Sequence, residues 1–493
     1  MKKTLYLLII SMLLVSCAVK KPQSQNNRNT NNQKELVILS VNDMHAHIEN
    51  MPNFAFVVDS LRNLYPELLV VSAGDNRTGN AYNDKYPGAP NYPMINLMNE
   101  LGFDVSALGN HEFDGGVDGI RYFVKTATFP LINANAYFTG YPDVQLPDYV
   151  TITKNINGND IKIIMVGVIE TENEGKPSAH VKNLQNIDFK PAEDVIVDYL
   201  YLKDSCDVFV LLSHCGLKDE LNFAEQFPQF DMIIGGHSHD LYTKTFDNGL
   251  LYTQSKSYLN FATVTKIEFE KGKIVSKEAQ VIDLKKVSKV DAHVKKLVDE
   301  YYSDPEFHEV IGYAKRSFND WDALGAYMAD ACRYITKTDF AMQNPGGVRF
   351  DSLHSGNLTK ADIYNLDPFN NALMVVEMTG KQIEDYIDIA STKDHDCLHV
   401  SGLTYTIDYI HSDDGQTGFM NAKAYLENGE PIDPEKVYTV TINSYMALWA
   451  EGRCVSIKGT DFSSNDAEIL YLQDHKEVDY NNVHRYKVTK INQ

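Results

Sequence analysis

Asp, Asn and His residues cluster directly after short apolar runs of this sequence. The segments LVILSVNDMHAH, ELLVVSAGDNRTG, FDVSALGNHEFD, DVFVLLSHCG and FDMIIGGHSHD each join an apolar run to such a cluster. In chain order, the candidate residues are Asp43, His45, Asp75, Asn110, His111, Asp114, His214, His237 and His239. Imidazoles and carboxylates are ligands for Zn²⁺, Mn²⁺ or Fe ions. There are too many ligands here for one ion, so the sequence predicts a site for two.

A site for two metal ions suits hydrolysis at phosphorus. A carboxylate such as Asp75 can bridge two ions, and ions about 3.5–4 Å apart can hold an attacking hydroxide and both oxygens of an in-line displacement. A single His near a strand end is more often a structural residue than a ligand. Five clusters after five successive runs are not explained in that way, and they predict a metal-dependent phosphoester hydrolase.

The elements that must position these residues are strands alternating with helices. Each apolar run is rich in β-branched residues, as in strands buried on both faces. The intervening segments NFAFVVDSLRNLYPE and YPMINLMNELG have helical spacing. This alternation predicts an α/β sheet, whose functional residues gather at the carboxyl ends of its strands.

The blocks NDMHAH, GDNRTG, GNHEFD, SHCG and GGHSH, in this order, resemble the signature blocks of the calcineurin-like metallophosphoesterases. They are most similar to the branch of 5′-nucleotidases and nucleotide-sugar hydrolases. The resemblance implies that Asp43, His45 and His239 hold one ion and share Asp75 with the second. The second ion would be completed by Asn110, His214 and His237.

The same resemblance implies that His111 and Asp114 are the catalytic pair. His111 would face the phosphate and stabilise charge or protonate the leaving oxygen, and Asp114 would orient its imidazole. Glu112, between them, is interpreted as a solvated or packing residue. Ala46 stands where the family usually has glycine. His47 either reaches the phosphate or lies on the surface.

The second half of the chain is similar to the C-terminal domain of secreted 5′-nucleotidases, which binds the nucleoside. NPGGVR resembles a glycine-rich loop of that family and suggests Asn344 and Arg349 as substrate contacts. Phe369 and Tyr445 match aromatic residues that stack on the two faces of the base. Glu451 stands in place of an aspartate that holds the ribose.

This half also departs from the family pattern. Trp449 and Ala450 replace two glycines beside Glu451, and Trp321 and Ala323 replace a usual Glu and Asn. The hydrolytic half is therefore intact by motif, while nucleotide recognition differs.

The resemblance implies an N-terminal four-layer α/β/β/α sandwich joined by a helix to a smaller α/β C-terminal domain. The length of 493 residues is enough for two to four domains. The predicted organisation is a signal peptide at 1–17, a disordered tether at 18–35, the metallophosphoesterase domain at 36–285, an interdomain helix at 286–315 and the nucleotide-binding domain at 316–493.

The N-terminus, MKKTLYLLIISMLLVSC, has two lysines, a short apolar run and small residues before Cys17. It is typical of a secretory signal and too short for a spanning helix. LLVSC resembles a bacterial lipobox, so we expect an envelope lipoprotein anchored by lipid at Cys17, on the periplasmic side or at the cell surface. A plain cleaved signal peptide is the alternative.

Composition limits the partners. The net charge of −22 argues against binding to nucleic acid polymers. Apart from Cys17, five scattered cysteines remain, so no disulfide framework is implied. We expect a monomer that meets the membrane through its anchor only and takes a nucleotide as substrate.

The predicted reaction is hydrolysis of nucleoside 5′-monophosphates to nucleoside and phosphate by a metal-activated hydroxide. Three alternatives stay open at this point. The same mechanism could act on UDP-sugars, nucleoside diphosphates or 2′,3′-cyclic nucleotides. The chain could bind nucleotides at the surface without turnover, or hydrolyse a sulfur ester.

Overall fold

The computed structural model describes residues 35–172, 175–350, 352–411 and 417–492. The predicted signal peptide, Cys17 and residues 18–34 of the tether lie outside these ranges. Within the described ranges, no helix has the length and apolar character needed to cross a membrane.

The first part of the chain contains two six-stranded sheets and the helices that cover them. Its strands are β1 (Glu35–Val41), β2 (Leu69–Ser72), β3 (Val105–Ala107), β4 (Leu131–Ile132), β5 (Ala136–Tyr137), β6 (Tyr149–Ile156), β7 (Asn159–Ile169), β8 (Asp188–Phe189), β9 (Val208–His214), β10 (Met232–Ile234), β11 (Leu241–Thr245), β12 (Leu251–Ser255), β13 (Phe261–Glu270) and β14 (Lys273–Asp283). Its helices are α1 (Met51–Leu64), α2 (Ala81–Asp84), α3 (Tyr92–Glu100), α4 (Gly116–Thr126), α5 (Ala192–Ile196) and α6 (Leu217–Gln226).

The strand order is β14-β13-β1-β2-β3-β4 in one sheet and β11-β12-β10-β9-β7-β6 in the other. The neighbours β1, β2, β3 and β4 are parallel, as are β7, β9, β10 and β12. Strands that carry ligand candidates therefore end at a common edge in each sheet.

Three apolar layers hold the sheets and helices together. Ile38 and Val71 of one sheet and Val210 and Leu212 of the other belong to a single buried cluster between the sheets. A second cluster joins the outer face of the first sheet to helices such as α1 and α3, and a third covers the second sheet. This arrangement is the predicted α/β/β/α sandwich.

The connection between the halves is helical over a shorter range than predicted. In place of one helix over 286–315, the structure has α7 (Ala292–Tyr301) and a 3₁₀ turn, Pro305–His308. Asp291 begins α7 by accepting a hydrogen bond from Val294 N at 2.8 Å. Pro305 cannot continue a helix that began before it, because its nitrogen has no hydrogen to donate.

The second part of the chain is built around a five-stranded sheet. Its strands are β15 (Val310–Ala314), β16 (Phe340–Gln343), β17 (Gly356–Thr359), β18 (Ala372–Thr379), β19 (His399–Ser401), β20 (Leu403–His411), β21 (Thr417–Leu426), β22 (Val437–Asn443), β23 (Ser456–Ser463), β24 (Glu477–Val478) and β25 (Tyr486–Asn492). Its helices are α8 (Trp321–Thr336), α9 (Lys360–Leu366), α10 (Gly380–Lys393), α11 (Ser444–Ala450) and α12 (Ser464–His475).

The central order is β19-β16-β22-β18-β23, with two three-stranded sheets, β17-β15-β24 and β21-β20-β25, beside it. Because β15 pairs with β17 and β24, residues 310–314 belong to this half and not to the linker.

Candidate active site

The candidate metal ligands lie at the carboxyl ends of strands from both sheets of the sandwich. The strands and their ligands are β1 with Asp43 and His45, β2 with Asp75, β3 with Asn110, β9 with His214, and β10 with His237 and His239. Each sheet ends its parallel strands at one edge, and the stacked sheets bring the two edges together.

Asp43, His45 and His239 form the first group. Nε2 of His239 lies 3.0 Å from Nε2 of His45 and 3.3 Å from Oδ1 of Asp43. Oδ1 of Asp43 is 3.9 Å from Nε2 of His45. Atoms that share one ion at about 2.0–2.2 Å lie within about 4.4 Å of one another. The spacing of this group therefore fits a single metal ion.

Asp75, His214, His237 and Asn110 form the second group. Oδ2 of Asp75 is 3.1 Å from Nε2 of His214. Oδ1 of Asn110 is 3.2 Å from that nitrogen and 3.0 Å from Nδ1 of His237. Oδ2 of Asp75 is also 3.8 Å from Nε2 of His45, in the first group. Asp75 thus stands between the groups, where a bridging carboxylate would be.

Backbone carbonyls fix the orientation of the candidate ligands. Nδ1 of His45 faces the carbonyl oxygen of Thr78 at 2.9 Å, and Nδ1 of His214 faces that of Ala73 at 2.7 Å. Each ring can donate its Nδ1 proton outward and leave the Nε2 lone pair toward the group. Asn110 Nδ2 likewise donates to the Ser178 carbonyl at 3.0 Å, which turns its oxygen inward.

The electrostatics of the cluster favour cation binding. Burial, and then the positive charge on nearby histidines, lowers the pKa of His45 well below its usual value. Burial and the charge on His214 lower the pKa of His237 to about 4. Burial also opposes protonation of His214, but the carboxylates of Asp75 and Asp43 outweigh it and raise its pKa to about 10. The two carboxylates thus attract positive charge to this position.

Backbone strain is concentrated in the same residues. Asp43, His45, Asp75, His237 and His239 have φ between 45° and 75°. Such conformations cost about 1–3 kcal/mol each in non-glycine residues and persist only where the surroundings enforce them. Ala46 also has a positive φ, of 55°, which is the conformation that glycine adopts without strain.

His111 and Asp114 form a hydrogen-bonded pair beside the ligand groups. Nδ1 of His111 is 2.7 Å from Oδ2 of Asp114, and Nε2 is 3.1 Å from Nη2 of Arg349. The backbone N–H of His111 donates to Oδ1 of Asp75 at 2.8 Å, which ties the pair to the Asp75 carboxylate. Burial opposes protonation of His111, but the charges of Asp114 and Asp75 outweigh it and raise its pKa.

Glu112 is buried, which excludes the solvated one of its two interpretations, and it has a structural role in holding the loops of the site. Its Oε2 accepts hydrogen bonds from Asp75 N at 3.0 Å and Gly109 N at 2.7 Å, and Oε1 accepts from Asn76 N at 2.8 Å. Burial, and then the charge of Asp75, raises the pKa of Glu112. One carboxylate therefore fixes the backbone on both sides of Asp75.

A cavity of about 800 Å³ joins the ligand groups to the second half of the chain. The predicted substrate contacts Asn344, Arg349, Phe369 and Tyr445 all line it. The guanidinium of Arg349 lies over the Phe369 ring at 5.2 Å, and that ring is 5.8 Å from the His111 ring. The two halves thus meet at His111.

Glu451 is not brought to this cavity. It lies just past α11 and is exposed. Trp449 and Ala450, which replace flexible glycines, are buried in the apolar core of this half. They keep α11 helical to Ala450, and the chain beyond it reaches the surface.

His47 lies outside the residues that line the cavity. Its Nδ1 is 2.6 Å from Oε1 of Glu49, and its ring is 4.6 Å from that of Tyr258. Trp321 begins α8 and is 48% exposed, whereas Ala323 is buried in the core.

Asp394 is a cavity residue that the sequence did not single out. Its Oδ2 accepts hydrogen bonds from Gly346 N at 2.6 Å and from Asn344 Nδ2 at 3.4 Å. Burial raises the pKa of Asp394. No local motif marks it, because its role depends on the loop 344–347 folding against the end of α10.

Comparison with protein families supports the same division of the chain. Residues 36–241 match the calcineurin-like phosphoesterase family, and residues 310–455 match the C-terminal domain of 5′-nucleotidases.

Curated relatives cover most of the chain. Protein UshA of Yersinia enterocolitica is 26% identical over 526 aligned positions, which cover 90% of this chain and 92% of UshA. Endonuclease YhcR of Bacillus subtilis is 28% identical over 84% of this chain, but the chain spans only 37% of YhcR. Among solved structures, a 5′-nucleotidase precursor from Thermus thermophilus superposes with a TM-score of 0.78 over 92% of this chain and 99% of its own, at 23% identity. That likeness establishes the fold.

Proposed function

The chain belongs to the calcineurin-like phosphoesterases that carry a 5′-nucleotidase C-terminal domain, and from this premise we propose that it hydrolyses nucleoside 5′-monophosphates at a centre of two divalent metal ions. One observation carries the proposal. Two groups of ligands share Asp75, and they lie beside a His–Asp pair that Arg349 contacts from the other half of the chain.

In this proposal Asp43, His45 and His239 hold one ion, and Asn110, His214 and His237 hold the other. Ions at these positions would activate a water molecule and neutralise negative charge on the phosphate. The donor set of imidazole nitrogens, carboxylates and one amide oxygen accepts Zn²⁺, Mn²⁺ or Fe.

His111 acts on the phosphate in the proposed mechanism. Asp114 accepts its Nδ1 proton and leaves Nε2 directed toward the cavity, 3.1 Å from Arg349. When protonated, that nitrogen can donate to a phosphate oxygen or to the leaving oxygen, and Arg349 adds a fixed positive charge on the same side. The net charge of the chain is −22, so this local positive charge is needed to attract a phosphate.

Phe369 and Tyr445 are proposed to bind the base, with Asn344 as a further contact. Stacking between a base and an aromatic ring contributes about 1–3 kcal/mol and tolerates different bases. The placement of Glu451 removes one expected ribose contact, so the preference among nucleotides depends on the remaining cavity residues.

We propose in addition that the protein is exported and anchored through lipid on Cys17. The N-terminal sequence carries this proposal, since Cys17 lies outside the described residues. Phosphate removal outside the cytoplasm would suit salvage, because a neutral nucleoside crosses membranes more readily than a charged nucleotide.

The test follows substrate loss and product formation by chromatography, together with phosphate release, for protein lacking residues 1–17 that is stripped of metal and reloaded with Mn²⁺ or Zn²⁺. AMP, UDP-glucose, 2′,3′-cyclic AMP and p-nitrophenyl phosphate are compared side by side. We expect metal-dependent turnover with AMP as a substrate. Cleavage of UDP-glucose without cleavage of AMP would overturn the monophosphate assignment while leaving the centre in place.

A further inference from the structure

A second cavity, of about 750 Å³, opens from the first beside the reaction centre. Arg77, Asp84, Lys85, Asp114 and Asn370 line both cavities and mark their junction. The far wall of the second cavity comes from both halves of the chain and includes Tyr86, Tyr122, Tyr364 and Asn465.

Arg77 is a buried cation at this junction. It is 7% exposed, and its Nε has no hydrogen-bond partner within the described part of the chain. Among the described residues, no carboxylate lies within 4 Å of its guanidinium nitrogens. Buried charges are ordinarily paired, because desolvation without a partner is costly.

Two glycines make room for this side chain. A Cβ built on Gly115 would lie 2.0 Å from Nη1 of Arg77, and one on Gly119 would lie 2.8 Å from it. Gly119 stands inside α4, where glycine costs about 1 kcal/mol relative to alanine. The guanidinium therefore lies against the first turn of α4, whose helix dipole is itself positive at this end.

Lys85 adds a second positive charge to the junction. It follows α2 and is half-buried. Burial lowers the pKa of Lys85, the charges of Asp367 and Asp84 oppose that effect, and the positive charge of Arg77 adds to it. Within the described ranges, Lys85 forms no ion pair within 4 Å.

The nearby carboxylates are occupied elsewhere. Asp84 accepts hydrogen bonds from the backbone N–H groups of Thr78, Gly79 and Asn80, at 2.7–3.0 Å. Asp114 is bound to His111. The charges of Asp84 and Asp367 offset part of the positive charge at the junction. Among the described residues, however, neither Asp84 nor Asp114 forms an ion pair within 4 Å with Arg77 or Lys85.

We propose that Arg77 and Lys85 form a second anion subsite beside the reaction centre, and that its ligand is a phosphate group. The group is either a second phosphate carried by the substrate or inorganic phosphate released by the reaction. The guanidinium of Arg77 and the ammonium of Lys85 are both positively charged groups suited to bind a phosphate. The inference rests on the proposed function, because it assigns the subsite to the same substrate class.

The test compares metal-loaded wild-type protein with Lys85→Gln and with Lys125→Gln, a matched control on an exposed lysine in the last turn of α4. Two quantities are measured: the ratio of kcat/KM for adenosine 3′,5′-bisphosphate to that for AMP, and the inhibition constant of inorganic phosphate. Arg77→Lys is a second variant. It keeps the charge but loses the planar fork, and it is chosen because a larger change at this buried position can prevent folding.

If the subsite takes a second phosphate of the substrate, we expect Lys85→Gln to lower the ratio about five- to tenfold with little change in phosphate inhibition. If it takes released phosphate, the inhibition constant rises by a similar factor and the ratio is unchanged. Either result supports the subsite. Values equal to those of the control in both measurements would overturn it.

A failure of the proposed function can be told apart from a failure of the proposed subsite. If the wild-type protein releases phosphate from no nucleotide, calorimetric titration with inorganic phosphate still tests the subsite. Weaker phosphate binding by metal-loaded Lys85→Gln than by the control supports it, and equal binding contradicts it.

Discussion

Nη2 of Arg349 lies 3.1 Å from Nε2 of His111, so a residue of the C-terminal half contacts the catalytic pair proposed for the N-terminal half. His111 is in turn tied to the metal groups, because its backbone N–H donates to the shared carboxylate of Asp75. One chain of contacts thus joins the two candidate ligand groups, the imidazole of His111 and the part of the cavity formed by the C-terminal half.

His111→Ala should leave metal binding largely intact while lowering kcat for AMP by about 10²–10⁴, the usual contribution of a general acid or base. The side chain lies beside the ligand groups, and the proposed ligand sets are complete without it. Metal content by mass spectrometry and steady-state kinetics on the same preparation check this. Loss of both ions in the variant would show that His111 is a ligand instead.

Asp75→Asn should lower metal content and activity together. The substitution removes the charge of the carboxylate that lies 3.1 Å from His214 and 3.8 Å from His45. Asp118→Asn is a matched control, since that carboxylate is 94% exposed. An Asp75→Asn protein that keeps two ions and full turnover would rule out the bridging role.

Glu112→Gln should reduce the free energy of unfolding by about 2–4 kcal/mol, because an amide offers one acceptor oxygen where the carboxylate offers two. Backbone N–H groups now bonded to the second oxygen would be left buried and unsatisfied, at about 1–3 kcal/mol each. Denaturant unfolding measures the effect, with the exposed Glu193→Gln as control. A change below about 0.5 kcal/mol would mean that Glu112 does not hold these loops.

Much of the site follows from sequence alone, and the exceptions share a physical cause. That the candidate ligands lie close together was predictable, because each follows an apolar strand and parallel strands end together. Glu112, Arg77 and Asp394 were not predictable, because each contacts a segment that is distant in the sequence. The segment is the loop at 75–76 for Glu112, the glycines at the start of α4 for Arg77 and the loop at 344–347 for Asp394. Only the folded chain brings those segments together.

In the C-terminal half, the sequence predicted a substrate contact that the structure does not bring to the cavity. Matching Glu451 to a ribose-binding aspartate assumed a flexible loop at that position. The side chains of Trp449 and Ala450 are instead buried in the core, α11 continues to Ala450, and Glu451 is exposed. Likewise, apolar periodicity indicated a helix before the second domain, but its ends at Ala292 and Tyr301 depend on Asp291 and on the proline that follows.

Phe369→Ala should raise KM for AMP by about 5- to 150-fold, which corresponds to losing 1–3 kcal/mol of base stacking. Turnover of p-nitrophenyl phosphate should change little, since that substrate carries no base. Tyr445→Ala should behave in the same way if the two rings hold opposite faces of the base. Equal losses on both substrates would contradict the stacking role.

Glu468→Gln should stabilise the protein increasingly as pH rises. Glu468 is fully buried, neither of its carboxylate oxygens has a hydrogen-bond partner among the described residues, and burial followed by the charge of Asp367 raises its pKa well above the usual value. Between the unfolded pKa of about 4.3 and the folded pKa, only the folded chain keeps the proton. The wild-type stability should therefore fall by up to about 1.4 kcal/mol per pH unit from this group.

Glutamine does not ionise, so the stability of the variant lacks this dependence on pH. The difference in unfolding free energy between variant and wild type should therefore grow with pH above about 4.3. Denaturant unfolding at several pH values measures it, with the exposed Glu435→Gln as control. A difference that stays constant with pH would show that Glu468 ionises normally in the folded chain.

The proposed two-ion centre is tested most directly by titrating metal-stripped protein with Mn²⁺ or Zn²⁺. Bound ions per chain and phosphate release from AMP are measured in the same samples. A two-ion centre predicts that activity rises with occupancy and is complete at two ions per chain. Full activity in the stripped protein, or full activity with a single bound ion, would contradict it.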